Sequence, residues 1–142
     1  MAGYSGTPLL KKLGIQEGHR VLLRNPPDEL PVELTEYAKA RLKNDLDVAL
    51  LFARSSAEFQ AGFALLRNAI KPDGAIWVAW PKKASGVKTD LTEDAIRDQA
   101  LKTPLVDVKV CAIDEVWSGL KLVIRKEYRA AVQRRTTSSG GN

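Results

Sequence analysis

The chain has 142 residues, 44% of them hydrophobic and 27% charged, the composition of one globular domain around a single core. Its formal net charge of +5 lies partly near the end, at Arg125, Lys126, Arg129, Arg134 and Arg135, without the dense basic stripe and interleaved aromatics that nucleic-acid binding by charge requires. The single cysteine, Cys111, and single histidine, His19, exclude an internal disulfide and a Cys/His zinc site, and no run of about 18 apolar residues offers a membrane span.

A protein with one cysteine and no charged-then-apolar leader in MAGYSGTPLLKK is expected in the cytoplasm, with no resident metal. Gly3 to Gly6 reads as an arm whose Tyr4 packs on the body. Thr7 as cap, Pro8 at the first helical position and Gly14 as a left-handed stop predict a short helix between them. Arg20 to Leu23 predicts a buried strand. A phosphate-binding unit would follow such a strand with glycines, whose amides approach the ligand. Here the chain reads Arg24-Asn25-Pro26-Pro27-Asp28, and prolines supply no amide donor.

Residues 29–43 read two ways. Leu34, Ala38 and Leu42 favour a helix over Thr35 to Lys43, and a brief strand near Val32 to Leu34 is the alternative start. Asp47 to Phe52 predicts a strand covered on both faces. Ser55 and Glu58 form a capping-box pattern, followed by a helical stripe of Phe59, Phe63, Leu66 and Ile70. Gly62 interrupts that helix at a cost of about 1 kcal/mol relative to alanine, unless close approach is needed there. Lys71-Pro72-Asp73-Gly74 predicts a turn, and Ala75 to Trp80 a strand bounded by Pro81. A basic loop, Lys82 to Asp90, leads to a helix capped by Asp90 or Thr92 and running to about Lys102.

Period-two alternation from Val106 to Ile113 and from Leu120 to Arg125 predicts an antiparallel hairpin that includes Trp117. The expected organisation is one domain over 1–129 and a disordered polar tail over 130–142.

The series of strand, helix and strand, ending in an antiparallel pair, resembles the C-terminal half of class I methyltransferases. LRNAIKPDGAIWVAWP looks like their passage from fourth to fifth strand, and KKLGIQEGHRVLL like their approach to the first. The resemblance implies a single three-layer, Rossmann-like α/β domain with a mostly parallel sheet and an antiparallel C-terminal hairpin. The loop that holds S-adenosylmethionine in that family is replaced by Asn25-Pro26-Pro27. From Gly3 to Glu127 the chain is also similar to a bacterial domain-of-unknown-function family of short proteins. Gly3 to Leu9, Val78 to Lys83 and Trp117 to Val123 carry that likeness. Neither resemblance transfers a catalytic role to a residue here.

In Rossmann-like sheets ligands sit beyond the carboxyl ends of the strands. That rule singles out Asn25, Arg54, Ser55, Lys82, Lys83, Ser85 and Lys88 as an anion site built from charge, hydroxyls and amides. Trp77, Trp80 and Trp117 are expected to serve packing, Cys111 to be a small buried group, and Asp114-Glu115 to pair with Lys82 or Lys83. The expectation is a non-catalytic module for an anionic small molecule or a protein partner, with no cofactor. The alternatives are an S-adenosylmethionine-dependent methyltransferase with a divergent pocket, and a homo-oligomeric interaction protein joined through the hairpin.

Overall fold

The computed structural model describes residues 8–39, 41 and 43–130. The arm at Gly3 to Gly6, Thr7, Leu42 and all of the expected tail except Ala130 lie outside them. The elements run α1 (Leu9–Leu13), β1 (Val21–Arg24), a 3-10 helix (Val32–Tyr37), β2 (Leu46–Phe52), α2 (Ser56–Leu66), β3 (Ile70–Pro81), a 3-10 turn (Lys83–Ser85), α3 (Glu93–Leu101), β4 (Leu105–Ala112) and β5 (Trp117–Ile124). Residues 126–130 turn helically after the last strand. No helix among the described residues is long and apolar enough to cross a membrane.

The five strands form one sheet in the order β1-β2-β3-β5-β4. The ladders β1·β2 and β2·β3 are parallel, whereas β3·β5 and β4·β5 are antiparallel. The fold is therefore α/β with a mixed sheet, which corrects the expectation of a mostly parallel one. The hairpin does not simply append to the edge. Its second strand inserts between β3 and β4, so two of the four ladders become antiparallel, while β4 runs in the same direction as β1, β2 and β3.

Alternation along the strands sends side chains to two apolar clusters. Ala49, Leu51, Ile76, Val78 and Trp80 meet Phe59, Phe63 and Leu66 of α2 and Ile96 and Ala100 of α3. Val48, Leu50, Phe52, Trp77 and Ala79 meet Leu9 and Leu13 of α1 and Leu34 of the first 3-10 helix. Trp77 and Trp80 are thus both buried, in different clusters. The Trp77 indole N–H donates to the Leu13 carbonyl over 2.9 Å, which satisfies a buried donor and pins the end of α1 to the sheet.

Local chemistry explains most boundaries. Gly14, at φ 76°, closes α1 with its amide on the Leu10 and Lys11 carbonyls. Pro8 stands at the N-cap rather than at the first helical position. Ser55 caps α2 by accepting from the Glu58 amide, and Thr92 caps α3 by accepting from the Ala95 amide. Asp90, the other candidate cap for α3, accepts instead from the Ser56 amide at 2.8 Å and so binds the first turn of α2. Arg97 joins α3 to β4 through Glu93, Asp94 at 2.8 Å and Asp107 at 2.9 Å.

Two further expectations are overturned, and a third, the alternating strand from Val106, stands as β4 with its alternation broken. The helix over Thr35 to Lys43 is replaced by the earlier, shorter 3-10 helix, in which Leu34 alone is fully buried. Within it the Thr35 hydroxyl donates to the Val32 carbonyl at 2.8 Å, and the Leu34 and Ala38 amides reach back three residues, to Pro31 and Thr35. Lys71 to Gly74 is no free turn but lies within β3. The ladder steps from Leu46↔Ile70 to Val48↔Ala75, so the Pro-Asp-Gly segment is accommodated as an irregularity in the strand. The alternation of β4 breaks between Asp107 and Lys109, where the register shifts, and Val108 and Val110 are exposed at the sheet edge.

Two glycines mark close approaches. A Cβ on Gly62 would lie 2.4 Å from a Leu51 methyl, and one on Gly74 would lie 2.6 Å from the Leu46 carbonyl oxygen. The helical glycine is thus the close-approach case, with α2 seated directly on β2. Gly62→Ala gains helix propensity but overpacks the core, for an expected net loss of about 1 kcal/mol. Gly74→Ala meets backbone that cannot step aside and is expected to lose more, about 2–3 kcal/mol. Urea unfolding of both variants checks the order.

Asp47 gathers the start of the sheet: it accepts from the Arg20 amide at 2.8 Å and from the Lys71 ammonium at 3.0 Å. Burial works to raise its carboxyl pKa, but these two partners outweigh it and hold the group below its ordinary 3.8. A depressed folded-state pKa gives stability that is present above the unfolded value and lost as pH falls through the folded one. Stability should therefore drop as pH is lowered below about 4, and Asp47→Asn should flatten that part of a pH–stability curve.

Candidate functional site

A cleft of about 1180 Å³ opens where the carboxyl ends of the four codirectional strands meet. Pro27 and Asp28 enter it after β1, Arg54 after β2, Lys82 after β3, and Ala112 to Trp117 where β4 turns into β5. Leu9 and Lys12 of α1 and the stretch Glu29 to Pro31 with Glu33 complete the wall. This is the crevice that the strand-end rule points to.

The wall combines an apolar surface with a charged rim. Leu9, Leu30, Val87, Ile113, Val116 and Trp117 supply the first. The rim carries five carboxylates, Asp28, Glu29, Glu33, Asp114 and Glu115, against three cations, Lys12, Arg54 and Lys82. A chain of net charge +5 thus turns a mainly acidic face to this cleft.

Of the residues selected from sequence, Arg54 and Lys82 line this cleft. Asn25 stands beside it: its carbonyl accepts from Arg54 Nη1 at 3.4 Å. Asn25 adopts φ 56°, the left-handed conformation that glycine would favour, so the turn after β1 keeps such a bend without glycine. Ser55 and Ser85 spend their hydroxyls locally. Ser55 caps α2, while Ser85 donates to the Lys82 carbonyl at 2.6 Å and accepts from the Val87 amide at 3.2 Å. Lys83 and Lys88 are exposed and do not line the cleft. The first turn of α2 already receives the carboxylate of Asp90 and the hydroxyl of Ser55. An incoming anion would compete there with groups already in place.

Trp117, Asp114 and, between Asp28 and Glu33, every residue but Val32 line the cleft and lie outside the anion site expected from sequence. Trp117 is buried, with Phe52 edge-on at 5.2 Å and the Arg54 guanidinium over its ring at 5.2 Å. Its packing role in the core is thus combined with a place in the cleft wall. Asp114 makes no ion pair with Lys82 or Lys83 among the described residues. One of its oxygens accepts from the Val116 and Trp117 amides, both at 2.8 Å, and so shapes the β4–β5 turn. Lys82 reaches the same turn through its backbone amide, which donates to the Val116 carbonyl at 2.7 Å.

Cys111 is half-buried on β4. Burial raises its thiol pKa above the ordinary value, with Lys12 and Lys109 pulling weakly the other way, so the thiolate is disfavoured. No group of three or more His, Cys, Asp or Glu side chains is placed to hold a metal ion among the described residues.

No family model matches the chain, and no curated protein matches it. Among solved structures it is similar to the PH0226 protein of Pyrococcus horikoshii OT3, with a TM-score of 0.41 and 10% identity, over 82% of this chain and 75% of that one.

The turn gives a direct check on the cleft wall. Asp114→Ala removes the acceptor of two amides and should destabilise the protein by about 1–3 kcal/mol, and Asp114→Asn by less. Amide hydrogen exchange at Val116 and Trp117 should quicken in the alanine variant before the rest of the sheet is affected.

Proposed function

We propose that this chain is a non-catalytic binding module on a three-layer, methyltransferase-like frame, related to the bacterial family of short proteins whose motifs it resembles. Its ligand is a small molecule, or a side chain offered by a partner, that carries a cationic group on an apolar body. The observation that carries this reading is the excess of carboxylates over cations around an apolar surface in a chain that is basic as a whole. Opposite charge attracts most strongly in a recess where the low-dielectric wall limits screening. Helices from both sides of the sheet in the two clusters, and the antiparallel strand at the end of the chain, support the proposed frame. Binding rather than catalysis is favoured because Asp114, the carboxylate best placed in the turn, is committed to two backbone amides.

A second reading follows from Arg54 and Lys82, which share the cleft and would suit an anionic group. A pair of matched probes separates the two. An N-acyl arginine amide and an N-acyl glutamate with the same acyl chain present the same apolar body with opposite charge. In a thermal-shift assay the arginine amide should raise the midpoint and the glutamate should not. A larger shift with the glutamate would overturn the first reading in favour of the anionic one. A midpoint raised by S-adenosylmethionine alone would favour a methyltransferase with a divergent pocket.

A further inference from the structure

Trp117 already carries a cation on its ring, and that cation is the chain's own. The Arg54 guanidinium lies 5.2 Å from the ring centroid. Its other side-chain contacts are long: 3.4 Å from Nη1 to the Asn25 carbonyl and 3.8 Å to Glu58, with the side chain 40% exposed. Contacts of that length and exposure hold a flexible side chain weakly. The strong contact at this position is made by the backbone, since the Arg54 amide donates to Glu58 at 2.7 Å. That bond does not depend on where the side chain goes. The guanidinium can therefore leave Trp117 without disturbing the cap of α2.

We infer that Arg54 stands in for the ligand. An organic cation, an alkylammonium or guanidinium group on a compact apolar body, replaces the Arg54 guanidinium on the face of Trp117. The inference rests on the cationic reading of the cleft and names the group that is read. The ring quadrupole attracts a cation of low hydration and is indifferent to a neutral group of the same shape. Asp114 and Glu115, in the turn that delivers Trp117, keep negative charge beside the same site. The mechanism makes opposite demands on one residue for the two charge classes. A cation competes with Arg54 and gains when it is removed. An anion needs Arg54 and loses.

The test titrates the full chain with choline, with its neutral isostere 3,3-dimethylbutan-1-ol and with N-acetyl-arginine amide, read by tryptophan fluorescence and thermal midpoint. Choline or the arginine amide should bind and the isostere should not. Arg54→Ala should tighten cation binding by about threefold to fivefold, the size of an exposed cation–π contact. Trp117 is buried and its replacement endangers the fold, so the ring is tested by fluorinated tryptophan, which should weaken binding and leave the unfolding midpoint in place. Choline alone binding points to a free small molecule, and the arginine amide alone to a partner's side chain; either supports the inference. Equal binding of the isostere, or weaker cation binding by Arg54→Ala, overturns it. If both cations are inert while the longer N-acyl arginine amide still raises the midpoint, this inference fails and the broader reading stands. If all are inert, both fail.

Discussion

From Ala75 to Pro81 the chain runs as a strand with no exposed residue, hydrogen-bonded to β2 on one side and β5 on the other. A strand buried on both faces and both edges has to place every backbone donor in a ladder and every side chain against an apolar partner. The rest of the described structure answers to that demand. Ile76, Val78 and Trp80 need α2 and α3, and Trp77 and Ala79 need α1 and the 3-10 helix. Trp77 imposes a further condition, because its buried N–H takes the free carbonyl at the end of α1. A five-residue helix would not hold alone in water; here it is kept by Leu9, Leu13 and that bond.

The same strand sets the position of the cleft. Beyond Pro81 no ladder continues, and the Lys82 amide bonds to the β4–β5 turn instead. The carboxyl ends of β1, β2, β3 and β4 all finish at this level, and Asp114 shapes the turn that closes it. A side chain there can serve both core and surface. Trp117 does so, packed on Phe52 and overlaid by Arg54. Acidic and basic groups are thereby sorted in space in a way that the net charge conceals.

The distribution of helix-capping groups also shapes the chemistry. The N-terminus of α2 points toward the strand ends, where an anion is often received. Here Ser55, Glu58 and Asp90 have taken that role, two of them carboxylates of the chain itself. The basic loop beyond Pro81 is likewise drawn into local bonds through Ser85, and Lys83 and Lys88 face solvent. What distinguishes the cleft is its acidic rim and its aromatic wall.

Much of the frame could be read from the residues in order. Caps at Ser55 and Thr92, the stop at Gly14, the unbroken apolar run of β2 and the stripe of α2 as far as Leu66, though not Ile70, which opens β3, are local signals, and local signals act over one turn or one strand. They do not say which strand lies beside which. The insertion of β5 between β3 and β4 and the absorption of Pro72-Asp73-Gly74 into a strand depend on partners distant in sequence. The site follows the same division. Arg54 and Lys82 were found because a strand-end rule needs only the strand ends. Asp28 and Glu33 come from one stretch and Asp114 and Trp117 from another, more than 80 residues further along the chain. The sequence alone therefore determined the elements and the end of the sheet where a ligand would sit. Tertiary structure alone decided the charge and shape of the cleft, because both are sums over side chains that only folding brings within reach of one another.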